Sequence, residues 1–252
     1  MSTHSKAHAE PFASANQCPY TGLGQEFNPF MPPYLDNPYP FFARARSEEP
    51  VFYHPDLDCW VISRYEDIKT ILRDPATFSA DIVTTPLQPF SAEVLHILHE
   101  GGYRSTPVLS NTDPPSHTRI RHCVTLAFTP RRVAVLEPHI RWLVQAHIDR
   151  FAQKGRADLV HQLTYDVPAL VMFRLLGIPD EDVPVVKTGA EHRLLLMWGK
   201  PSLAEQARLA RGLVAFWQYS AGLVAKRLRQ PQDDLTSDLI RVRNGDDAVL
   251  TV

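Results

Sequence analysis

The sequence predicts a mostly α-helical protein with one small β-sheet near its start. Three observations carry that expectation. From Asp113 to about Arg243, apolar residues recur at helical spacing between glycine and proline breaks. Val51-Phe-Tyr and Cys59-Trp-Val-Ile-Ser are β-rich runs joined by the turn residues His54-Pro-Asp-Leu-Asp. The 252 residues are 44% hydrophobic and 21% charged, which is globular material with enough chain for one large core or two small ones. A formal net charge of −2 lacks the basic excess of a nucleic-acid binder, so no nucleic-acid partner is expected.

Taken in order, residues 1–37 hold Pro19, Gly22, Gly24, Pro29, Pro32 and Pro33 among several aromatics, the composition of an arm without regular structure. Its first dozen residues are expected to be disordered. From Tyr39, Phe42, Ala45 and Arg46 are spaced for a short helix that Pro50 stops. The hairpin of residues 51–63 follows, and then Tyr65, Ile68, Ile71 and Leu72 mark a helix with Ser63 near its start and Pro75 at its end. The segment from Phe78 to Asp113 carries Pro86, Pro89 and Pro107 and one short helix between Ala92 and His99; a loop this long in a compact domain is usually functional or disordered.

Asp113 before Pro114 and Pro115 suits an N-cap with prolines in the first turn. Further helices are expected at residues 132–153, 163–176, 181–198 and 203–229, with a last short one after Asp233. In the longest, Leu209, Leu213, Phe216, Trp217, Leu223 and Leu228 form the apolar side. Trp142, Trp198 and Trp217 are expected to pack between helices, whereas Arg131-Arg132 and Lys226-Arg-Leu-Arg are expected on a solvated surface.

Chemistry concentrates in Asp113-Pro-Pro-Ser-His-Thr-Arg-Ile-Arg-His. His117 and Arg121 are four residues apart and share a helix face, where they offer two donors to one acidic group. Arginine stays charged and can grip a carboxylate through paired hydrogen bonds. A cofactor with carboxylates at its rim fits this pair, although the same spacing also occurs on solvated helix faces. The three cysteines, Cys18, Cys59 and Cys123, show no Cys-x-x-Cys and no zinc-site spacing, so disulfides and structural zinc are not expected.

The string from Asp113 through Ala127-Phe-Thr-Pro-Arg-Arg-Val closely resembles the start of helix C in bacterial cytochromes P450. The resemblance runs in order along the chain. Residues 39–46 are similar to helix A, 51–67 to the first hairpin and the start of helix B, Asp74-Pro-Ala-Thr-Phe-Ser to its close, and Leu175-Leu-Gly-Ile-Pro-Asp-Glu-Asp to the link between helices E and F. It implies the cytochrome P450 fold from helix A to helix H over residues 38–252, following the 1–37 arm. Cys18-Pro-Tyr-Thr-Gly-Leu and Glu26-Phe-Asn-Pro-Phe resemble the self-sufficient subgroup, whose haem domain is fused to a reductase carrying FMN and a 2Fe–2S cluster.

The resemblance implies haem b as cofactor, with His117 and Arg121 on a haem propionate and Leu109 near the haem. It implies a small organic substrate, O2 and a redox partner or fused reductase as partners, and a monooxygenase reaction using electrons from NAD(P)H. The Phe78–Asp113 segment resembles the B–C loop that caps the pocket, which makes Ile82, Val83, Leu87, Val94 and Leu98 candidate lining residues for an apolar or aromatic substrate. His192-Arg-Leu-Leu-Leu-Met-Trp-Gly resembles the roof of the channel, adding Leu195, Leu196 and Met197. For each, packing of loop or helix onto the body is the alternative.

The family's axial-cysteine loop, its Glu-x-x-Arg helix and its oxygen-handling Ala-Gly-x-x-Thr helix do not occur in these 252 residues. None of the three cysteines is expected to be the axial ligand, and no residue here is expected to be catalytic or to bind metal. The sequence therefore resembles the N-terminal half of a haem domain. Two rivals stay open: a truncated, non-catalytic helical binding module that ligates no iron, and a helical ligand sensor without haem. No stretch reaches the roughly 20 apolar residues of a membrane span, since the run from Val167 to Ile178 is broken by Arg174. The N-terminus lacks the apolar core of a secretory signal, so a cytoplasmic location is expected.

Overall fold

The structure is a computed structural model that describes residues 22–106 and 108–246. Cys18, the first dozen residues and Pro107 lie outside the described residues. The chain divides into two compact units, residues 1–74 and 75–252.

The first unit contains α1 (Gly22–Glu26), α2 (Tyr39–Glu48), the strands β1 (Val51–His54) and β2 (Cys59–Ile62), and α3 (Tyr65–Arg73). The strands form the expected antiparallel hairpin, with Val51 opposite Ile62 and His54 opposite Cys59. Leu23, Phe41, Ala45 and Phe52 are its buried core. The Phe27 ring stacks on Phe41 at 5.1 Å and meets Phe52 edge-on at 5.7 Å. Burying a side chain such as Phe52 contributes about 1.5–3 kcal/mol.

Two details differ from the expectation of an irregular arm and of a Ser63 cap. Residues 22–26 form α1, because a glycine at position 24 lets the turn lie against the sheet: a Cβ there would stand 1.9 Å from the Tyr53 carbonyl oxygen. The Ser63 hydroxyl donates to the Pro50 carbonyl at 3.1 Å and leaves Arg64 as the N-cap of α3.

The second unit holds α4 (Ala92–Glu100), α5 (Ser116–Ala127), α6 (Pro130–Asp149), α7 (Val167–Leu175), α8 (Val183–Trp198), α9 (Leu203–Arg229) and α10 (Leu235–Arg243). Helix α9 has the expected bounds, and its start is a reciprocal cap: Glu205 Oε2 accepts the Ser202 N–H at 3.0 Å while the Ser202 hydroxyl oxygen accepts the Glu205 N–H. Helix α7 starts later than expected because a π-helical turn, Val160–Thr164, precedes it. Helix α6 starts earlier, at Pro130, where the Thr129 hydroxyl caps Arg132.

Val94 and Leu98 of α4, Leu196 and Met197 of α8, and Leu209, Ala210 and Leu213 of α9 form one core cluster. Helices α8 and α9 approach closely at Gly189, where a Cβ would lie 2.6 Å from that of Phe216. A second cluster joins Ala127 of α5, Leu175 of α7 and Leu235 of α10.

Several side chains depart from the pattern read in the sequence. Trp142 is 64% exposed and Trp198 is 42% exposed, not packed between helices; Leu228 on α9 is also exposed. Arg132 pairs with Asp233 at 2.6 Å and with Asp238, and Arg227 is 3% exposed. Both arginines were expected on solvated helix faces, and both are drawn inward by aspartates that the turn before α10 and its own first turns deliver from elsewhere in the chain.

Candidate functional site

The site grows from the two ends of the Phe78–Asp113 segment. Pro114 and Pro115 lack the N–H that a helix interior requires, so α5 begins at Ser116 with Pro115 in the cap position. Asp113 does not cap that helix, contrary to the expectation from its sequence. One of its carboxylate oxygens accepts the Ala80 N–H at 2.9 Å, and the other accepts the Ser79 hydroxyl. The Ala80 N–H and then the Ser79 hydroxyl hold the Asp113 carboxyl below its ordinary range, because both bonds favour the ionised form. Two residues earlier, Asn111 Nδ2 donates to the Thr84 hydroxyl at 2.7 Å, and its Oδ1 accepts the Val108 N–H at 2.6 Å. The start of the loop is thus strapped to the residues that launch α5.

On α5, Cys123 and Ala127 are buried. At 100° per residue, His117 and Arg121 lie roughly 120° around the helix from that packed face. His117 is half-buried and Arg121 is exposed. Among the described residues neither side chain forms a hydrogen bond or ion pair; the only interaction is the attraction between Asp113 and His117. Leu109, in a 3₁₀ turn (Leu109–Asn111) beside α5, is half-buried. The structure therefore brings His117 and Arg121 together on one face with their donors open, and sets Leu109 in the turn that precedes them.

The proposed lining residues separate into two groups. Val94 (0% exposed), Leu98, Leu196 and Met197 are buried in the α4–α8–α9 cluster. Ile82 is 74% exposed and Leu195 51%, with Val83 and Leu87 less so. Two hydrogen bonds tie the loop to the end of α8: the Leu87 N–H donates to the Met197 carbonyl at 2.9 Å, and the Trp198 indole N–H donates to the Val83 carbonyl at 3.0 Å. The sequence reading missed Asn111, Asp113 and Trp198 as organisers of this loop. Asp-Pro-Pro was a signal of special geometry, but it did not identify Ala80, 33 residues away, as the partner.

Cys123 is buried within α5, and burial, then the neighbouring Asp58, raises the pKa of Cys59. Among the described residues no three His, Cys, Asp or Glu side chains converge on a metal position, and no helix is long and apolar enough to cross a membrane.

No family model matches the sequence. Individual proteins do. Cytochrome P450 107B1 of Saccharopolyspora erythraea is 34% identical over 211 residues, which is 81% of this chain and 50% of that protein. Full-length CYP116B46 from Tepidiphilus thermophilus superposes with a TM-score of 0.83 at 35% identity, covering 90% of this chain and 30% of that one. The chain is a cytochrome P450 homologue. An intact type IV self-sufficient cytochrome P450 monooxygenase superposes with a TM-score of 0.84 at 33% identity, covering 96% of this chain and 32% of that one.

The chain spans about half the length of the curated cytochromes P450 it matches. Over that span it has the mostly helical P450 fold, with the two-stranded sheet in its first unit. Haem is the prosthetic group this family implies. The residues present fit its carboxylates: a guanidinium and an imidazole one turn apart, without an ion-pair or hydrogen-bond partner among the described residues and turned from the packed side of α5, suit a propionate.

Proposed function

We propose that this chain forms the N-terminal portion of a haem-thiolate monooxygenase that inserts one oxygen atom of O2 into an apolar or aromatic organic substrate, the second atom leaving as water. The single observation that carries the reading is the open donor pair, His117 and Arg121, on α5. Haem b, once bound, would supply the dioxygen chemistry. The chain's own part is binding and enclosure. Arg121 would donate paired N–H bonds to a propionate and His117 would add a third donor, with Leu109 a further residue for the haem site.

Substrate is enclosed by Ile82, Val83 and Leu87 of the loop and by Leu195 of α8, and Val94, Leu98, Leu196 and Met197, buried in the α4–α8–α9 cluster, are the further lining residues. Such an apolar wall favours a weakly polar ligand and excludes water. Electrons come from NAD(P)H through a reductase; likeness to self-sufficient enzymes favours one with FMN and a 2Fe–2S cluster, fused or separate. We place the protein in the cytoplasm.

The rival reading is a non-catalytic module of P450 ancestry that ligates no iron. The ferrous carbonyl spectrum of the natural full-length protein decides between them. The monooxygenase reading predicts bound haem and the red-shifted band of a thiolate-ligated ferrous carbonyl. Full-length protein that binds no haem, or shows no such band, contradicts it.

A further inference from the structure

The asparagines among the described residues differ sharply in what surrounds their carboxamides. Asn28 and Asn37 precede Pro29 and Pro38, which carry no backbone N–H. Asn111 is bonded at both ends of its carboxamide: Oδ1 accepts the Val108 N–H at 2.6 Å, and Nδ2 donates to the Thr84 hydroxyl at 2.7 Å. Asn244 precedes Gly245, and among the described residues neither its carboxamide nor the Gly245 N–H makes a hydrogen bond.

The end of α10 explains why this pair stands open. The helix stops at Arg243, and the chain leaves through Asn244 at φ 51°, ψ 36° and Gly245 at φ +79°. Asparagine and glycine are the residues that take left-handed backbone at least cost. The Asn244 N–H donates to the Arg241 carbonyl at 3.1 Å and the Asp246 N–H to the Arg243 carbonyl at 3.0 Å, so the Gly245 N–H between them is passed over. Both residues are exposed, and nothing lies within 4 Å of where a Gly245 Cβ would stand. Rotation about ψ of Asn244 therefore displaces no packed group, and a helix end of this kind opens at little cost.

We propose that Asn244 is a site of covalent self-modification by deamidation. The Gly245 backbone nitrogen, once hydroxide has taken its proton, attacks Asn244 Cγ. A bond forms between that nitrogen and Cγ, the Cγ–Nδ2 bond breaks, and the amino group leaves as ammonia with a proton from water. The cyclic imide then takes up water at either carbonyl and opens to aspartate or isoaspartate at position 244. Water is consumed and ammonia released, with no oxidant and no second enzyme. Glycine favours the attack because no side chain shields its nitrogen. The product sets a carboxylate at the C-terminal end of α10, where the helix dipole disfavours negative charge. The isoaspartate form also adds a carbon to the main chain of the turn that closes the helix.

The test is to hold the full-length protein for several days in mildly alkaline buffer at body temperature, digest it in mildly acidic buffer and map the peptides by mass spectrometry. The Asn244 peptide is expected to exchange its amide for a carboxyl, as a mixture of aspartate and isoaspartate, and to do so faster in more alkaline buffer. The peptides with Asn28, Asn37 and Asn111 should keep their amides. Gly245→Ala, which shields the attacking nitrogen, is expected to lose most of the modification over the same interval.

An Asn244 peptide that keeps its amide as long as the Asn111 peptide does overturns the proposal. Modification that yields aspartate without isoaspartate, or that runs as fast in Gly245→Ala, is direct hydrolysis and overturns the attack by Gly245.

Discussion

Arg227 and Arg121 sit in the same unit of the molecule and treat the same side chain in opposite ways. Arg227, near the end of α9, is 3% exposed and has its donors consumed internally: Nε bonds Asp234, and Nη2 donates to the Gly177 carbonyl at 2.7 Å. Asp234 in turn accepts the Ser237 N–H at 2.8 Å as the N-cap of α10. Gly177, at φ +77°, completes the knot, because any Cβ there would strike the Asp234 carboxylate. Arg121 is exposed on α5, and among the described residues nothing pairs with it. An arginine whose donors are used inside the fold is a structural tie, whereas one left open on a helix face beside a second donor has its charge available, which is why we propose it for a haem carboxylate.

The sharpest way to break this contrast is to remove each guanidinium and measure unfolding in urea. Arg227→Ala leaves the Asp234 carboxylate buried and unpaired, so a loss of about 3–5 kcal/mol is expected. Arg121→Ala, at a surface position without a partner, should stay within about 0.5 kcal/mol of the parent in the haem-free protein. Equal losses at the two positions would erase the distinction.

A smaller effect is expected where the loop meets α5. The Asp113 carboxyl lies below its ordinary value because of the Ala80 N–H and the Ser79 hydroxyl. The native state therefore binds its proton less readily than the unfolded state. The stability this carboxylate adds is fully present above the unfolded value of about 4 and is lost as pH falls through the lower folded value. Asp113→Asn should speed exchange of the Ala80 amide near neutral pH and flatten its acid dependence, while leaving the Arg227 knot untouched. An unaltered Ala80 amide would show that the start of the loop is held without Asp113.

What the sequence made legible follows from how far each signal reaches. The bounds of α9 are written locally, in Ser202 and Glu205 at one end and in continuous apolar spacing along the helix. The hairpin is likewise set by two β-rich runs and the turn between them, with Asp58 taking the left-handed conformation at φ 48°. The pairing of His117 with Arg121 needed only four-residue spacing. Partners brought from afar were not legible. Arg227 reads as surface beside Lys226 and Arg229 until α10 and the α7–α8 turn deliver Asp234 and Gly177, the latter 50 residues away. Trp198 reads as core, yet it is 42% exposed and its indole N–H donates to the Val83 carbonyl, 115 residues away.

The division of the candidate lining residues has the same cause. Val94, Leu98, Leu196 and Met197 share helical periodicity with the core and are buried in it, while Ile82 and Leu195 carry equally apolar side chains and remain uncovered. Periodicity reports that a side chain is apolar and which face it occupies, but the neighbour that covers that face is a tertiary fact.

The central claim is that the open face of α5 holds a haem carboxylate. Its most direct test is the rate at which haem leaves the full-length protein for a haem-scavenging globin, compared between the parent and Arg121→Ala. Charge-assisted bonds of this kind contribute about 1.5–3 kcal/mol, so the variant should lose haem roughly 10- to 100-fold faster with its fold intact. Haem release at the parent rate from folded Arg121→Ala protein would contradict the account.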